Sequence, residues 1–527
     1  MKRACLLKTH IRMKNKFFIL LFSFALLSSC VDLELLPEDQ YGSNVLQDPE
    51  SAGMVINAAY SYLTDYPYYG RAFIYLNDIV SDDSDYVPGH STFADRVELD
   101  NFTFNSSHGN LSEIYPRAYN SISVCNLVMD NWIEGHDPYV KGQALFLRSL
   151  NYFNLVRLFG GIPLFTTMDA PIESFFNAER ATLDQVYDQI ITDLTAIVEE
   201  NLLPENWTEA NRGRADLWAA HTLLSKVYLT AASEGTLYMG DKSSFYEKAA
   251  LHSKTVMDQS DRALEPDYKT IWLRGHLYTN SEVIFAIGAN GIDVIQGGVP
   301  GRYYRNYEPL DPGFNEGWGN NIPRLDLYNS FEDDDYRKEV GFLTYFIAKD
   351  TLERNSSIFY PGDTVTYDYW IPTHIRRPHL RKFYYDPGPN HNYSSNVDGV
   401  HFMVLRYADV LLMYAEAQNE ATGPTNEAIE AVNKVRRRAY KLDLNQSSPH
   451  DVAAGISQNE FRQLIRTERR KELHHEAQRW FDLVRWNIYV DRMSALGKEN
   501  IGEHHRYFPI PQVEIDKNPN LRQNDGY

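Results

Sequence analysis

Four stripes of apolar residues recur at spacings of three and four, and they restrict the body of this chain to packed helices. Leu217, Ala220, Leu224, Val227 and Ala231 form one, and Val410, Tyr414, Ala417 and Ala421 a second. Ala428, Val432, Val435 and Ala439 make a third; Leu473, Ala477, Trp480 and Val484 make a fourth. Residues so spaced share one face of an α-helix. Their alanines let neighbouring helices approach closely. Short turns join the helices in pairs. Thr422-Gly423-Pro424 separates two of them, and residues 217–231 and 245–257 read as another hairpin.

The pattern predicts a mostly α fold with loop-rich insertions and a few short strands. Its helix-turn-helix pairs resemble tetratricopeptide repeats without a strict sequence period. Two blocks break the helical rhythm. Between about 288 and 401 Gly, Pro, Asn and Tyr dominate, as in Gly317-Trp318-Gly319-Asn320-Asn321, and a second loop-rich block runs from 66 to 110. Long loops in a compact protein are functional or disordered, and the many aromatics argue against disorder. The helical pairs are therefore expected to form a scaffold, and the two blocks to build a face upon it.

The N-terminus is of another kind. Lys14 and Lys16 precede an apolar run at 17–27, and Leu27-Ser28-Ser29-Cys30 follows. A basic start, a brief apolar core and small residues before a cleavage point describe a secretory signal, read here from Met13. The run falls short of the ~20 residues that a membrane span needs. Ending on Cys resembles a bacterial lipoprotein signal, in which the Cys30 sulfur is acylated and the chain is cut just before it. The acidic stretch at 31–39, with Pro37, reads as an extended tether. The expected division is a signal at 1–29, lipidated Cys30 and tether at 30–39, and a single body at 40–527.

Composition narrows the partners. The formal net charge is −20 although the leader is purely basic, and no basic stripe interrupts the acidic body, which makes nucleic acid a poor partner. Of three cysteines, Cys5 and Cys30 lie in the leader. Cys125 then stands alone, beside Val124 and Leu127, as a small buried apolar residue. Stability must come from packing without a disulfide.

Further motifs are spread over nearly the whole body. Residues 148–164 read RSLNYFNLVRLFGGIPL, a helix ending on Gly160-Gly161-Ile162-Pro163. Gly213-Arg214-Ala215 opens the helix carrying Lys226-Val227-Tyr228-Leu229, and Glu282-Val283-Ile284-Phe285 reads as a strand. Leu405-Arg406-Tyr407-Ala408-Asp409-Val410 and Tyr414-Ala415-Glu416-Ala417 follow, then Val432-Asn433-Lys434-Val435-Arg436, Glu468-Arg469-Arg470-Lys471-Glu472-Leu473 and Arg479-Trp480-Phe481-Asp482-Leu483. The end reads Phe508-Pro509-Ile510-Pro511, Asn518-Pro519-Asn520-Leu521 and Gln523-Asn524-Asp525-Gly526-Tyr527. In this order the chain resembles SusD/RagB-type outer-membrane lipoproteins of Bacteroidetes. The resemblance implies a surface nutrient-binding partner of a SusC-like TonB-dependent transporter, facing outward, non-catalytic, with a lid-like role above the transporter barrel. Most of these motifs read as structural. Arg148, Arg406, Arg469 and Glu472 are expected to pair internally, Gly160-Gly161 to stop a helix, and the Pro509, Pro511 and Pro519 run to lie as an extended strap on the body.

The family implied places ligand on loops of the two blocks. Sugars are gripped by flat aromatic faces and planar polar groups. Trp318, flanked by glycines, leads the candidates, with Tyr303, Tyr304, Tyr307 and Asn320 beside it. Tyr86 and Phe93 come from the early block, with Asp82, Asp83 and Asp85 as acceptors for hydroxyls. The expected ligand is an oligosaccharide or polysaccharide; a peptide or another nutrient on the same architecture is the alternative, then a surface glycosidase or a helical scaffold. Neither a His-Glu-x-x-His zinc motif nor a Gly-x-Ser-x-Gly elbow occurs. His474-His475 and His504-His505 are adjacent pairs whose side chains are expected to diverge. No cofactor is expected. Asp82-Asp83-Ser84-Asp85 and Glu332-Asp333-Asp334-Asp335 lack EF-hand spacing, which leaves only a calcium site of another kind open.

Overall fold

The computed structural model describes residues 49–527 except 66, 88–92, 274–275, 277–278, 289–320, 349, 355, 370–375 and 384–400. Helices dominate. They are α1 (Pro49–Thr64), α2 (Ala94–Asn101), α3 (Gly109–Asn131), α4 (Pro138–Phe159), α5 (Leu183–Glu200), α6 (Leu217–Ala232) and α7 (Lys242–Gln259). In the C-terminal half follow α8 (Tyr407–Thr422), α9 (Asn426–Ala439), α10 (Gln458–Leu473) and α11 (Arg479–Arg485). Successive helices pack on one another, α1 on α3, α3 on α4, α4 on α5 and so on to α8, which α9 and α10 then cover. This is the stacked helical-pair scaffold the stripes predict.

Local chemistry sets the boundaries. Thr182 and Gln185 form a reciprocal capping box at the start of α5, and Ser457 and Glu460 do the same for α10. Asp137 caps α4, with Pro138 in its first turn. At its far end Gly160 has φ +72°, a conformation that glycine adopts without a Cβ penalty. Helix α4 is buried nearly all round, and Gly142 allows this: a Cβ there would lie 1.9 Å from the Leu202 carbonyl oxygen. One apolar core extends from Ala52 to Leu521. Cys125 lies in it, and burial pushes its thiol up to about 12.

The strands are short and pair two by two: β1 (Ser84–Tyr86) with β3 (Asn321–Pro323), and β2 (Val283–Ile287) with β10 (Phe402–Arg406). Between them β4 (Phe342–Leu343) pairs with β9 (His379–Leu380), β5 (Tyr345–Ile347) with β8 (Thr364–Thr366), and β6 (Leu352–Arg354) with β7 (Ser357–Phe359). All pairs are antiparallel. Leu343 at the end of β4 and the last two pairs hold a small core of their own, with Phe346, Ala348, Leu352 and Val365.

Three expectations are corrected here. The block at 66–110 is not a loop surface. It contains a helical turn at Ala72–Ile74, a π-turn at Tyr75–Ile79 and α2, and Tyr68, Tyr69, Phe73 and Tyr75 are core residues. Tyrosines are buried there because their hydroxyls are satisfied: Tyr68 donates to Asn151 Oδ1 (2.9 Å), and Asn154 Nδ2 donates to the hydroxyls of Tyr68 and Tyr69 (3.0 and 2.6 Å). The fourth stripe, 473–484, is two elements, because His475 and Ala477 adopt positive φ (+59° and +53°) and turn the chain between α10 and α11. That turn also brings the two histidine rings together instead of apart, with Nδ1 atoms 2.9 Å from each other. The His504 and His505 rings lie close as well, centroids 3.8 Å apart.

The internal pairings hold. Arg148 clasps Asp193 through Nε and Nη2 (2.8 Å each), both side chains buried. The C-terminal run lies on the body as expected: the Phe508 N–H donates to Leu158 O (2.7 Å) and the Gln512 N–H to Ser106 O (2.8 Å). A helical turn at Gln512–Lys517 interrupts its extended course. Among the described residues no helix is long and apolar enough to cross a membrane.

Candidate ligand-binding face

The two blocks nominated in the sequence meet at β1 and β3. The register sets Ser84 opposite Pro323, Asp85 opposite Ile322 and Tyr86 opposite Asn321. Trp318, Tyr303, Tyr304, Tyr307 and Asn320 lie outside the described residues, but Asn320 is the residue just before β3. On the other side, β3 touches β9 and β9 pairs with β4, so the hairpins at 345–366 continue the same region.

The acids separate into two classes. Asp82 is fully buried; Arg479 donates to its Oδ1 (2.6 Å) and Oδ2 (3.0 Å), and Arg492 to Oδ2 (2.6 Å). Burial alone would raise the Asp82 carboxyl, but Arg479, Arg470 and Arg492 outweigh it and hold the group well below the usual carboxylate range. Asp83 is also fully buried and accepts from Arg470 Nε (2.9 Å); burial prevails there and pushes it up. Neither carboxylate reaches solvent, so the expectation that they accept ligand hydroxyls is corrected. They fasten the block to α10 and α11. Asp85 stands at the rim, partly exposed, between Arg324 and Arg377 (2.9 Å).

The aromatics also divide. Tyr86 is buried, and its hydroxyl accepts the Phe93 N–H (3.0 Å). It braces the loop and offers no open ring face. Phe93 is 39 % exposed, with the Arg96 guanidinium 4.0 Å from its ring centroid. Of the described candidates, Phe93 and Asp85 are the ones a ligand can touch.

Sequence reasoning missed several groups. Arg377 Nε and Nη2 have no hydrogen-bond partner among the described residues. A basic pair, Arg376-Arg377, inside a Gly- and Pro-rich block was the available signal. Tyr345 and Tyr360 are 49 % and 60 % exposed on the hairpins. Tyr345 stands opposite Thr366, and Ile347 opposite Thr364, which gives that hairpin an outer face of mixed apolar and hydroxyl groups. Alternation in so short a strand leaves no visible trace in sequence.

Three acids of the run at 332–335 have cationic partners. Glu332 pairs with Lys471, Asp333 with Lys338 and Asp335 with Arg337. Among the described residues no three or more His, Cys, Asp or Glu side chains are grouped to hold a metal ion.

Comparison with known proteins agrees with this architecture. Residues 373–527 match the SusD family, and residues 56–229 match a family described as starch-binding associating with outer membrane. SusD-like protein P2 of Formosa agariphila is 28 % identical over 98 % of this chain and 99 % of its own length. A SusD-like protein of Bacteroides ovatus is 25 % identical over 91 % of this chain and 84 % of its own. Among solved structures, a SusD homolog from Bacteroides thetaiotaomicron superposes with a TM-score of 0.78 at 24 % identity, covering 93 % of this chain and all of that one. Surface glycan-binding protein A from the same species, in complex with laminarihexaose, gives 0.72 at 20 % identity over 90 % of this chain and 99 % of that one. Two family matches, near-full-length relatives and a shared stacked-helix fold point the same way: along nearly its whole length the chain is similar to SusD/RagB-type proteins.

Proposed function

We propose that this protein binds an oligosaccharide or polysaccharide at the cell surface without cleaving it. The pairing of β1 with β3, which joins the first aromatic-bearing block to the second across about 230 positions, supports the reading. The two family matches support it, as do the neighbours named for glycan or laminarin binding. The division at 1–29, 30–39 and 40–527 belongs to the same reading. Cys30 carries lipid, the protein is anchored to the outer membrane facing outward, and it delivers its ligand to a TonB-dependent transporter. No cofactor takes part.

The test is a glycan array with the lipid-free body, the residues after Cys30, followed by titration of the best ligand against Trp318→Ala. Loss of about 1–3 kcal/mol in affinity with an unchanged melting temperature is expected, the scale of an aromatic hot spot. An unchanged affinity would put the site elsewhere. Turnover of the bound sugar at enzymatic speed would remove the binding reading altogether.

A further inference from the structure

Two adjoining clefts, of about 310 and 300 Å³, share a wall formed by Arg212, Gly213 and Arg214. Their size is at the lower end of the range for ligand pockets. Gly213 has φ +89°, a left-handed turn that glycine makes without a Cβ penalty, and both arginines line both clefts. Neither β1, β3 nor the Asp85 rim contributes a described residue to either cleft, so this place is distinct from the face described above.

Each cleft has an aromatic wall, and Ala215 fixes both rings. Trp207 lines the first. Its indole N–H donates to Ala215 O (2.8 Å), and Tyr139 meets its ring edge-on, centroids 5.6 Å apart. Tyr60 lines the second, and its hydroxyl accepts the Ala215 N–H (3.1 Å). Both residues are half-buried. Rings held in this way lose little freedom when a flat apolar surface stacks on them. Asn206 in the first cleft, and Asn57 and Asn211 in the second, bring amides, which can both donate to and accept from hydroxyls.

The charge of the shared wall is not balanced. Arg214 donates to the neutral amides of Gln143 (2.8 Å) and Asn57 (2.7 Å). Arg212 is exposed, and neither arginine forms an ion pair among the described residues. The carboxylates that line the first cleft, Asp216 and Asp261, both pair with Arg262 (2.5 and 3.5 Å). Two guanidinium groups are therefore left over in a chain of net charge −20. We propose that the two clefts together bind an acidic oligosaccharide, with sugar rings against Trp207 and Tyr60 and a carboxylate or sulfate group held by Arg212 and Arg214. A guanidinium fork matches either anion with paired, charge-assisted hydrogen bonds. The site does not depend on the face that carries Phe93 and Asp85.

Calorimetric titration of the full-length chain in detergent tests it, with a galacturonate trisaccharide, a sulfated galactose trisaccharide and the neutral galactose trisaccharide. At least one acidic sugar should bind about 10-fold or more tightly than the neutral one, and the preference should shrink as salt rises. Which of the two does so tells carboxylate from sulfate. Arg212→Ala removes an exposed side chain and should cost that sugar about 10-fold, the worth of a charge-assisted hydrogen bond, while Arg212→Lys recovers part of it. Trp207→Ala should cost about as much, and Trp207→Phe less, since a ring remains. Trp318→Ala should leave the acidic sugar's affinity unchanged. The inference falls if neither acidic sugar outbinds the neutral one, or if Arg212→Ala has no effect. It also falls if triglutamate or ATP binds as tightly, since the clefts would then read charge without a sugar. Acidic-sugar binding lost in Trp318→Ala and kept in Arg212→Ala would move the ligand to the face, ending this inference and leaving the proposed function standing.

Discussion

Two groups of arginines and carboxylates stand within one molecule and do opposite work. Around Glu472, Arg337, Arg406 and Arg438 converge with Glu282, Glu468 and Glu476, and every one of these side chains is buried. Glu472 alone accepts from three arginines. Around Asp85, two arginines share one partly exposed carboxylate, Arg377 keeps donors without partners among the described residues, and the neighbouring rings are open to solvent. The first group joins α9, α10, β10 and the start of β2 and is closed off from solvent. The second stands at the rim, where Asp85 and Phe93 are partly open to solvent and within reach of a ligand. The same residue types thus make scaffold or rim according to whether they are closed off from solvent.

The comparison breaks most sharply at Glu472. Glu472→Ala removes a carboxylate from three buried guanidinium groups, so about 3–5 kcal/mol of stability should go, the cost of uncompensated buried charge. Urea unfolding would measure it, and a loss near zero would mean that the web contributes nothing to the fold. Acid should act on the same web. Burial opposes the charged form of Glu472, Asp82 and Asp409, yet neighbouring arginines (and Lys226 at Asp409) depress all three. Groups held below their unfolded values near pH 4 bind fewer protons folded than unfolded. Their contribution is intact above about pH 4 and is lost as pH falls toward the folded values. Asp216, which burial raises to about 6, works the other way, its contribution lost as pH rises from about 4 through 6. Stability followed by denaturant midpoint should therefore fall steeply below pH 4. A flat acid limb would remove the web from the account.

Much of this scaffold was legible beforehand. Three of the four stripes became α6, α8 and α9, because apolar spacing and the caps around it are local properties. Arg148, Arg406, Arg469 and Glu472 pair inside as their apolar helical neighbours implied. The fourth stripe failed because two left-handed residues, His475 and Ala477, have no signature of their own in sequence. The face was half legible. Two blocks were nominated and two blocks meet, but Asp82, Asp83 and Asp85 look alike in a row while their partners lie hundreds of residues away, at Arg470, Arg479, Arg492, Arg324 and Arg377. Which acid is buried and which stands at the rim is a long-range fact. Tyr86 failed for another reason: it is buried in the core, and its hydroxyl is taken by the Phe93 N–H seven residues on.

On the face the expected effects are smaller and fall on binding. Phe93→Ala removes an exposed ring that Arg96 already supports from one side. Glycan affinity should drop by about 1–2 kcal/mol, below the upper range of aromatic hot spots because the ring is partly committed to Arg96. Calorimetric titration would read it, with the melting temperature as control. A large drop in melting temperature instead would move Phe93 from the face to the scaffold.

Tyr86→Phe makes the finest cut between the two groups. The ring stays and the core keeps its shape, so packing is preserved. Only the hydroxyl that accepts the Phe93 N–H is lost, worth about 1 kcal/mol for a neutral hydrogen bond. That bond lies between a buried strand residue and an exposed loop residue, so its loss should be divided. Global stability should hardly change, because the Phe93 amide turns toward water when the loop relaxes. Affinity should fall by less than in Phe93→Ala, because the ring remains but is less well placed. If Tyr86→Phe lowers stability and leaves affinity untouched, then β1 belongs wholly to the scaffold and the boundary between closed and open hydrogen bonding runs outside Phe93.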